Sequence, residues 1–403
     1  MNKCIYRKFY QSNSCLEIVN INLVDVKTGT IWPNVKIIIK DDKIYKIDKN
    51  YTLNNNKILS TNWAIPGLID SHVHLFEIHE GENKGRILKS EFFEYKKQRA
   101  IKNINDALSV GITCVRDVGA YKAYNNKLRD MIEKDPQKYK FRIISCGNHI
   151  TKKNGHWHDR GVIWDSNKCT LSEAVTNELL SGSDFIKVMN DDPIFNLSEL
   201  REISTACKRM KRKFACHAFT EKTISIALMA GADTIEHAAC FSEDFCQSAI
   251  INDVSVCPTL VAAIDSANPL YLKDILNFND DCQADDFRNW KNFLLKHLPR
   301  TLKSDVRIIA GTDAGTFPTS FNSLPIELKY FCDLGASNLK ALQSATINAA
   351  KALGIDNITG SLDENKSADI VILSHNPLKN LYKALSKIKI VISRGQIAFT
   401  NLN

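Results

Sequence analysis

Two histidines lie two positions apart in residues 65–76, a stretch with the sequence IPGLIDSHVHLF. Most of this stretch is apolar, as in a buried β-strand, yet it carries Asp70, His72 and His74. Side chains two positions apart on a strand point to the same face. Two imidazoles on one face can bind one divalent cation, so the stretch predicts part of a metal site.

Further polar residues stand near the ends of other apolar runs, and they are Lys187, His217, His237 and Asp313. Each has an ordinary explanation by itself, because a lone buried histidine is usually a hydrogen-bonded core residue and an aspartate often caps a helix. Lysine, however, is rarely buried without a partner. Their joint occurrence favours one shared site, with Asp313 as a carboxylate ligand beside the first two histidines and with His217 and His237 on a second cation.

The runs that carry these residues alternate with helical patterns. Eight runs follow one another along the chain: LIDSHVHL, ITCVRDVG, RIISCG, DFIKVMN, FACHAF, TIEHA, VSVCPTL and VRIIAGTDAG. Eight strands alternating with helices predict an α/β fold, a (β/α)8 TIM barrel whose reactive side chains come from the carboxyl ends of the strands. An open doubly wound sheet is the alternative, and the count of eight favours the barrel. A long insertion at about 262–304 has the pattern of helices carried on a loop.

Both ends of the chain have β-strand patterns. LEIVNINLVDV and VKIIIKDDKIYKIDKN lie near the start, and ADIVILS and KIKIVISRGQIAF lie near the end. Because chain termini often lie close together, these segments predict one small β-sandwich domain. We therefore expect residues 1–64 and 359–403 to form the sandwich and residues 65–358 to form the barrel.

Composition limits the possible locations and partners. The 403 residues are 44% apolar and 24% charged, which is typical of soluble globular proteins. No apolar run approaches the ~20 residues that span a bilayer, and the basic N-terminus lacks a following apolar segment, so we expect a cytoplasmic protein without a membrane partner. The twelve cysteines include no C-x-x-C pair and are expected to be small buried hydrophobes. The densest basic run, KRMKRK at 208–213, lacks interleaved aromatic residues and predicts a solvated helix end rather than a nucleic-acid site.

Taken together, these residues resemble the amidohydrolase superfamily in its binuclear-metal branch. IDSHVHL is similar to the His-x-His motif of strand one, and Lys187 is similar to the strand-four lysine, which the resemblance implies is N-carboxylated by CO₂ and bridges two metals. The resemblance also implies that His217, His237 and Asp313 are the ligands of strands five, six and eight. IEHAA, CPTL, GTDAG, SATINAAKALG and SLDENKSADIVIL resemble the imidazolonepropionase-related subgroup, which includes dipeptidases for Xaa-Pro and Xaa-Arg/Lys substrates.

Two loops differ from the pattern of that subgroup. Where Gly-Gly-His-Gly is common after strand three, this chain has KNGHWHDRG, with His156 at the position of the histidine. A glycine-rich turn after the strand-four lysine is replaced by MNDDPIF, whose Asp191 and Asp192 favour a basic substrate side chain or are simply solvated. The candidates for holding a substrate carboxylate or the oxyanion are His149, His156 and Arg160, and the alternative is that they are surface-loop residues without a role.

The resemblance implies metal-dependent hydrolysis of an amide bond in a small molecule such as a dipeptide or an N-acyl amino acid. Two divalent ions, with zinc expected and manganese an alternative, lower the pKa of a shared water, and Asp313 transfers its proton to the leaving amine. An imidazolonepropionase-like cyclic amide hydrolase and a deaminase of the same fold are alternatives that do not need Lys187. A catalytically inactive scaffold is a third alternative, although such proteins lose metal ligands. Many relatives are oligomers, so a homo-oligomer stays open.

Overall fold

The computed structural model describes residues 15–51, 61–77, 92–158, 160–191, 194–270, 281–316 and 318–401. In these ranges the strands are β1 (Cys15–Val24), β2 (Ile31–Lys40), β3 (Lys43–Asp48), β4 (Trp63–Pro66), β5 (Leu68–Val73), β6 (Ile112–Asp117), β7 (Arg142–Ser145), β8 (Ile150–Lys152), β9 (Val162–Trp164), β10 (Phe185–Met189), β11 (Lys213–His217), β12 (Thr234–Glu236), β13 (Ser255–Cys257), β14 (Arg307–Ile308), β15 (Ile370–Leu373), β16 (Ile388–Ser393) and β17 (Gln396–Thr400).

The helices of the same ranges alternate with the central strands. They are α1 (Phe92–Ser109), α2 (Tyr124–Lys134), α3 (Pro136–Tyr139), α4 (Leu171–Leu180), α5 (Leu197–Arg209), α6 (Glu221–Ala230), α7 (Glu243–Ile251), α8 (Leu260–Ser266), α9 (Asp281–Lys303), α10 (Leu324–Asp333), α11 (Asn338–Ser344), α12 (Ile347–Leu353) and α13 (Leu381–Leu385), with a 3₁₀ turn at Tyr121–Ala123. Several begin at a capping box, as at Thr170 and Asn196, where the side chain accepts from the third helical N–H.

The strands of the two chain ends join in one seven-stranded mixed sheet, in the order β17-β16-β15-β4-β1-β2-β3. Strands β2 and β3 form a hairpin around Asp41, whose φ of 55° supplies the left-handed conformation that a two-residue turn needs. Alternate residues of β2 are buried, namely Val35, Ile37 and Ile39. The strands of the two chain ends therefore pair in one sheet, and these pairings do not show a second sheet stacked on it, so the β-sandwich domain stays a prediction.

Each of the eight predicted barrel runs contains a strand, and these strands lie in two parallel sheets. One has the order β5-β6-β7, and the other has the order β14-β13-β12-β11-β10-β8-β9. The short strands β8 and β9 were not predicted. Hydrogen bonds link the sheets at both sides, from Asp184 N to Ser145 O (2.8 Å) and from Ser71 N to Ala310 O (2.9 Å). The chain is thus an α/β protein with parallel sheets, and closure into a barrel stays a prediction.

The insertion after the seventh run contains the two helices α8 and α9, as its pattern predicts, while residues 271–280 lie outside the described residues. Helix α9 buries Leu294, Leu298 and Leu302, which recur every four positions and therefore share one face. This face packs into the same hydrophobic core as strand β5. The insertion is therefore part of the folded body of the protein.

The cysteines and the basic run at 208–213 have the surroundings that the sequence predicts. The described cysteines are free thiols, and most are buried; burial raises the pKa of Cys114 and Cys216 to about 12. The basic run at 208–213 covers the end of α5, where Lys208 and Arg209 occupy the last turn, as expected for a solvated helix end. Within the described ranges, the helices lack the combination of length and apolar character needed to cross a membrane.

Candidate metal centre

Four histidine rings lie next to one another at the carboxyl ends of the parallel strands. His72 is in β5, His74 follows it, His217 ends β11 and His237 follows β12. The ring centroids are 4.6 Å apart for His72 and His237, 4.4 Å for His217 and His237, and 5.6 Å for His72 and His74. All four side chains are buried. The structure therefore brings together residues from three separate predicted runs.

Asp313 lies beside the two histidines of strand one. Its Oδ1 is 3.3 Å from Nε2 of His74 and 3.5 Å from Nε2 of His72. Burial favours a raised pKa for Asp313, but His72 and His74 outweigh it and lower this pKa below its usual range. The carboxylate is therefore ionised and points at two imidazole nitrogens, which is the arrangement of a metal ligand.

The tautomers of the strand-one histidines are fixed by acceptors on the far side of each ring. Nδ1 of His72 is 2.7 Å from Oε2 of Glu236, and Nδ1 of His74 is 3.1 Å from the carbonyl oxygen of Gly119. An ionised carboxylate and a carbonyl can only accept, so each Nδ1 donates its hydrogen. When these rings are neutral, their Nε2 lone pairs face Asp313, as a histidine ligand requires.

His237 is oriented in the same way by a hydroxyl group. Thr259 Oγ1 donates to the carbonyl of Pro258 at 2.7 Å, so it must accept from Nδ1 of His237, which is also 2.7 Å away. Burial lowers the pKa of His237 well below that of a free imidazole, which keeps the ring neutral. Its Nε2 is then available for a cation.

The backbone at this end of the strands is in an unusual conformation at His237 and Asp313. Their φ angles are 63° and 59°, in the left-handed region that non-glycine residues rarely adopt. Backbone hydrogen bonds hold both residues there, from His237 N to Cys257 O (2.7 Å) and from Asp313 N to His72 O (2.8 Å). Such conformations concentrate at functional sites, where the surrounding structure supports them.

Lys187 lies in the middle of β10 and is fully enclosed. Its side chain is 1% exposed, and within the described residues its Nζ has no hydrogen-bond partner. Burial lowers the pKa of Lys187, and Arg116 acts in the same direction against the attraction of Glu236 and Asp313. An amine in this position is more easily deprotonated than a surface lysine.

Glu236 and Arg116 form a buried ion pair behind His72. Arg116 Nη2 donates to Oε1 of Glu236 at 2.7 Å, and Arg116 Nε donates to the carbonyl of Ser71 at 2.6 Å. Both side chains are almost completely inaccessible. Sequence analysis did not single out Arg116, although a charged residue inside the buried run ITCVRDVG was a signal of this pair.

Asp70 does not contact either ring of the HVH motif. Its carboxylate accepts from His72 N (3.3 Å), from Thr312 N (3.0 Å) and from Thr312 Oγ1 (2.6 Å). Burial raises the pKa of Asp70 to about 7. Asp70 therefore ties strand one to the residue before Asp313 and sets the spacing between the two segments.

The three candidates on the loop after strand three have different surroundings. His149 is buried, and its Nε2 donates to the carbonyl of Trp157 at 3.1 Å. His156 stacks on Trp157 at 5.5 Å between centroids and lies 5.0 Å from the ring of His217. Arg160 pairs with Glu77, and its guanidinium lies 5.3 Å from the centre of the Trp157 ring. Only His156 comes next to a histidine of the cluster.

Asp191 is close to the cluster as well, although the sequence left open whether it was only solvated. Its Oδ2 is 2.7 Å from Nδ1 of His156, and its Oδ1 contacts Nε2 of His217. Burial acts to raise the pKa of Asp191, but His217 and His156 lower it well below its usual range. The neighbouring Asp192 lies outside the described residues.

Two tryptophans that sequence analysis missed flank the histidines. Trp157 lies 4.5 Å from His74 between ring centroids. Trp290, from helix α9 of the insertion, donates from Nε1 to the carbonyl of His237 at 3.2 Å and packs on Phe219 at 4.9 Å. The insertion thus supports one of the histidines directly.

The donor atoms are close enough to bind divalent cations. His72, His237 and Asp313 present atoms within 4.8 Å of one another, and so do His156, Asp191 and His217. Imidazole nitrogens and carboxylate oxygens are suitable ligands for zinc and several other divalent ions. Imidazoles whose Nδ1 hydrogens are engaged elsewhere, and the buried Lys187, whose Nζ has no hydrogen-bond partner within the described residues, fit a centre that is completed by a cation.

Comparisons with known proteins agree with this architecture. Residues 63–398 match the model of the amidohydrolase family. An imidazolonepropionase of Picrophilus torridus is 25% identical over 390 residues, covering 87% of this chain and 89% of the relative. The ochratoxinase of Aspergillus niger is 23% identical over 412 residues, covering 90% of this chain and 82% of the relative. A crystal structure of a Xaa-Pro dipeptidase with bound methionine has a TM-score of 0.83 and 24% identity, covering 96% of this chain and 100% of that one.

Proposed function

Because the chain belongs to the amidohydrolase family, in the subgroup related to imidazolonepropionase, we propose that it is a metal-dependent hydrolase of an amide bond in a small substrate such as a dipeptide or an N-acyl amino acid. A hydrolase acting on carbon–nitrogen bonds is what the family membership establishes. One observation carries the finer proposal: Asp313 faces the Nε2 atoms of His72 and His74 beside the buried amine of Lys187.

The proposed centre holds two divalent ions, with zinc as the first candidate. The ligands would be His72, His74, Lys187, His217, His237 and Asp313. When bound, the ions would lower the pKa of a water molecule and polarise the substrate carbonyl. The proposal is supported by the four buried imidazoles, because the Nδ1 hydrogens of His72, His74 and His237 are engaged away from the centre.

We propose that Lys187 would bridge the two ions only after reaction with CO₂. The lone pair of its neutral amine would form a bond to the carbon of CO₂ as one C–O π bond opens onto oxygen, and the nitrogen would release one proton to solvent, which gives an anionic N-carboxylate. The lowered pKa of Lys187 favours the neutral amine that this step needs. The anion would also remove the conflict between an ammonium group and two neighbouring cations.

Asp313 is the proposed general base and general acid. Its carboxylate is ionised, so it can accept a proton from the attacking water and give it to the nitrogen of the leaving amine. His156 and Arg160 are proposed to hold a substrate carboxylate, since both lie on the loop that covers His74. His149 donates to the same loop, and we propose that it acts by holding Trp157 in place.

The site and the relatives support the proposed substrate class. A substrate carboxylate would suit the cationic Arg160, and an amide with a free carboxylate describes dipeptides and N-acyl amino acids alike. The structurally similar Xaa-Pro dipeptidase supports a peptide-like bond. The imidazolonepropionase relatives support the alternative of a cyclic amide, which uses the same hydrolytic chemistry.

The proposed fold and setting are those of a cytoplasmic enzyme. Residues 65–358 would close as a (β/α)8 barrel, and residues 1–64 and 359–403 would form a β-sandwich beside it. The hydrogen bonds from Asp184 to Ser145 and from Ser71 to Ala310 support closure of the two parallel sheets. The proposed binding partner of the enzyme is a small-molecule substrate rather than a nucleic acid or a membrane. A homo-oligomer is compatible with this proposal.

A substrate screen tests the function. Metal-loaded protein is incubated with a library of dipeptides and N-acyl amino acids, and released amino acid is quantified; cyclic amides and ring amines form separate arms. Release from the dipeptide or N-acyl arm, abolished in Asp313→Asn, supports the proposal. Turnover confined to cyclic amides or to ring deamination contradicts the substrate class, and no turnover in any arm with metal bound contradicts the activity.

A further inference from the structure

The segment that follows strand β10 carries a carboxylate into the histidine cluster. Asn190 is fully buried, and its Oδ1 accepts from the N–H of Phe195 at 2.9 Å, while Ile194 N donates to the carbonyl of Asp191 at 3.3 Å. These bonds fix the backbone on both sides of residues 192–193. The side chain of Asp191 therefore has a defined position at the end of strand four.

Asp191 uses its two oxygens differently. Oδ1 contacts Nε2 of His217, and Oδ2 is 2.7 Å from Nδ1 of His156. His156 is about one-third exposed, whereas His217 is buried. One oxygen thus points into the centre, and the other is held from outside by a hydrogen-bond donor.

A carboxylate in this position has a direct chemical use. Aspartate and histidine commonly bind zinc together, and a ligating carboxylate is usually held by a second hydrogen bond to its other oxygen. We propose that Asp191 is an additional ligand of the cation bound by His217, and that His156 positions it. This inference rests on the proposed metal centre but not on the hydrolysis of an amide.

The additional ligand has a consequence for Lys187. The cation at His217 then has an anionic ligand on the same strand segment even when Lys187 is not carboxylated. We therefore expect the cation at the position of His217 and Asp191 to stay bound in CO₂-depleted buffer and in Lys187→Met. Without Asp191 as a ligand, this position depends on carboxylated Lys187 for its negative charge.

The test is a titration of the metal-free chain with Co²⁺ in CO₂-depleted buffer, followed by the visible absorption of the bound ion. Asp191→Asn keeps the shape of the side chain and removes its charge, and Asp244→Asn at the exposed start of α7 is the matched control. We expect Asp191→Asn to weaken one Co²⁺ site at least 100-fold, since even a supporting residue costs about 10–100-fold. His156→Gln should weaken the same site about 10-fold.

Two opposite results overturn the inference. Unchanged Co²⁺ affinity in Asp191→Asn excludes Asp191 as a ligand, and tighter binding means that Asp191 competes with the cation for His217. A measurement on the wild-type chain avoids any folding defect of the variants: anomalous diffraction from a Co²⁺-loaded crystal should place a cobalt ion bonded to both Asp191 and His217. Cobalt bonded to His217 without Asp191 contradicts the inference.

Failure of this inference differs from failure of the proposed function. Loss of one Co²⁺ site in Asp191→Asn, in a chain that hydrolyses no amide, leaves the inference standing and removes the function. If the chain hydrolyses an amide but its cobalt is not bonded to Asp191, the proposed function stands and this inference is wrong. A wild-type chain that binds no Co²⁺ overturns both.

Discussion

Nδ1 of His72 lies 2.7 Å from Oε2 of Glu236, although the two residues are 164 positions apart in the sequence. The other oxygen of Glu236 accepts from the buried Arg116. This chain of contacts decides which nitrogen of His72 faces Asp313. A residue without any place in the predicted ligand set therefore prepares one of the ligands.

Glu236→Gln should weaken metal binding by about 10–100-fold, because a neutral amide no longer fixes His72 as strongly in the tautomer that exposes Nε2. The affinity is measured by competition with a coloured chelator for Zn²⁺. Glu243→Gln, an exposed glutamate on α7, is the control and should bind like the wild type. Equal affinities in both variants would show that Glu236 does not prepare His72.

Lys187→Met should abolish activity while the metal-free protein becomes more stable. Burial disfavours the charged amine, so an apolar side chain of similar length should raise the free energy of unfolding by about 1–3 kcal/mol. Activity should fall at least ~10³-fold, because the bridge between the ions is lost. Urea unfolding in the presence of a chelator and the substrate assay check both effects.

Lys222→Met, on the exposed face of α6, is the control for the lysine variant and should change neither property. Wild-type turnover by Lys187→Met would exclude the binuclear centre with a carboxylated lysine. A loss of stability in that variant would mean that Lys187 is held by attraction to Glu236 and Asp313 more strongly than burial opposes it.

Trp290, on the insertion helix α9, should affect how tightly the proposed centre binds Zn²⁺. Trp290→Ala should cost about 3–5 kcal/mol of stability as a cavity, whereas Trp290→Phe should cost about 1 kcal/mol for one lost hydrogen bond. Trp164→Phe is the matched control, because Trp164 Nε1 also donates to a backbone carbonyl, that of Cys169 at 3.0 Å. Only Trp290→Phe should also weaken Zn²⁺ binding, since its acceptor is His237; equal Zn²⁺ affinity in the two variants would contradict this role.

Glu327 should make stability fall as the pH rises. Burial raises its pKa from 4.5 to about 8, although its oxygens accept from Leu260 N (3.0 Å) and Val261 N (2.7 Å). Between pH 4.5 and about pH 8, Glu327 is therefore protonated in the folded chain and ionised in the unfolded chain. The contribution of Glu327 to the free energy of unfolding is therefore complete below pH 4.5. Each pH unit between 4.5 and about 8 removes about 1.4 kcal/mol of this contribution.

The variant Glu327→Gln isolates this effect, because its free energy of unfolding lacks the titration of residue 327. The stability of Glu327→Gln minus that of the wild type should increase steadily between pH 5 and pH 8 in urea titrations. The same difference for Glu243→Gln should stay flat. A flat difference for Glu327→Gln would mean that the carboxyl is ionised throughout this range.

The residues of the proposed ligand set could be picked out from the sequence because they follow local patterns. HVH has the spacing of one strand face, and FIKVM carries a lysine that a buried strand would otherwise avoid. The eight apolar runs each contain a strand, and the resemblance to the imidazolonepropionase-related amidohydrolases is confirmed by the family match over residues 63–398. Periodicity and residue type are sufficient for such features.

The residues that support the ligands depend on long-range pairing, which local patterns do not contain. Arg116 meets Glu236 across 120 positions, and Trp290 reaches His237 from an insertion. Asp191 had the pattern of a solvated loop residue, and only the tertiary structure turns it towards His217. Closure of the barrel and formation of the sandwich also depend on long-range pairing, so local patterns only predict them. The strand pairings show two parallel sheets and one mixed sheet.

The central claim is that this centre binds two divalent cations, and the most direct test is the number of ions bound per chain. The metal-free protein is loaded with Zn²⁺ in bicarbonate buffer, desalted and analysed for zinc and protein by mass spectrometry of the elements. The account predicts about two zinc ions per wild-type chain, and Lys187→Met should keep the ion held by His217 and Asp191. One ion per wild-type chain would indicate a mononuclear centre of the deaminase type, and none would contradict a metal-dependent enzyme.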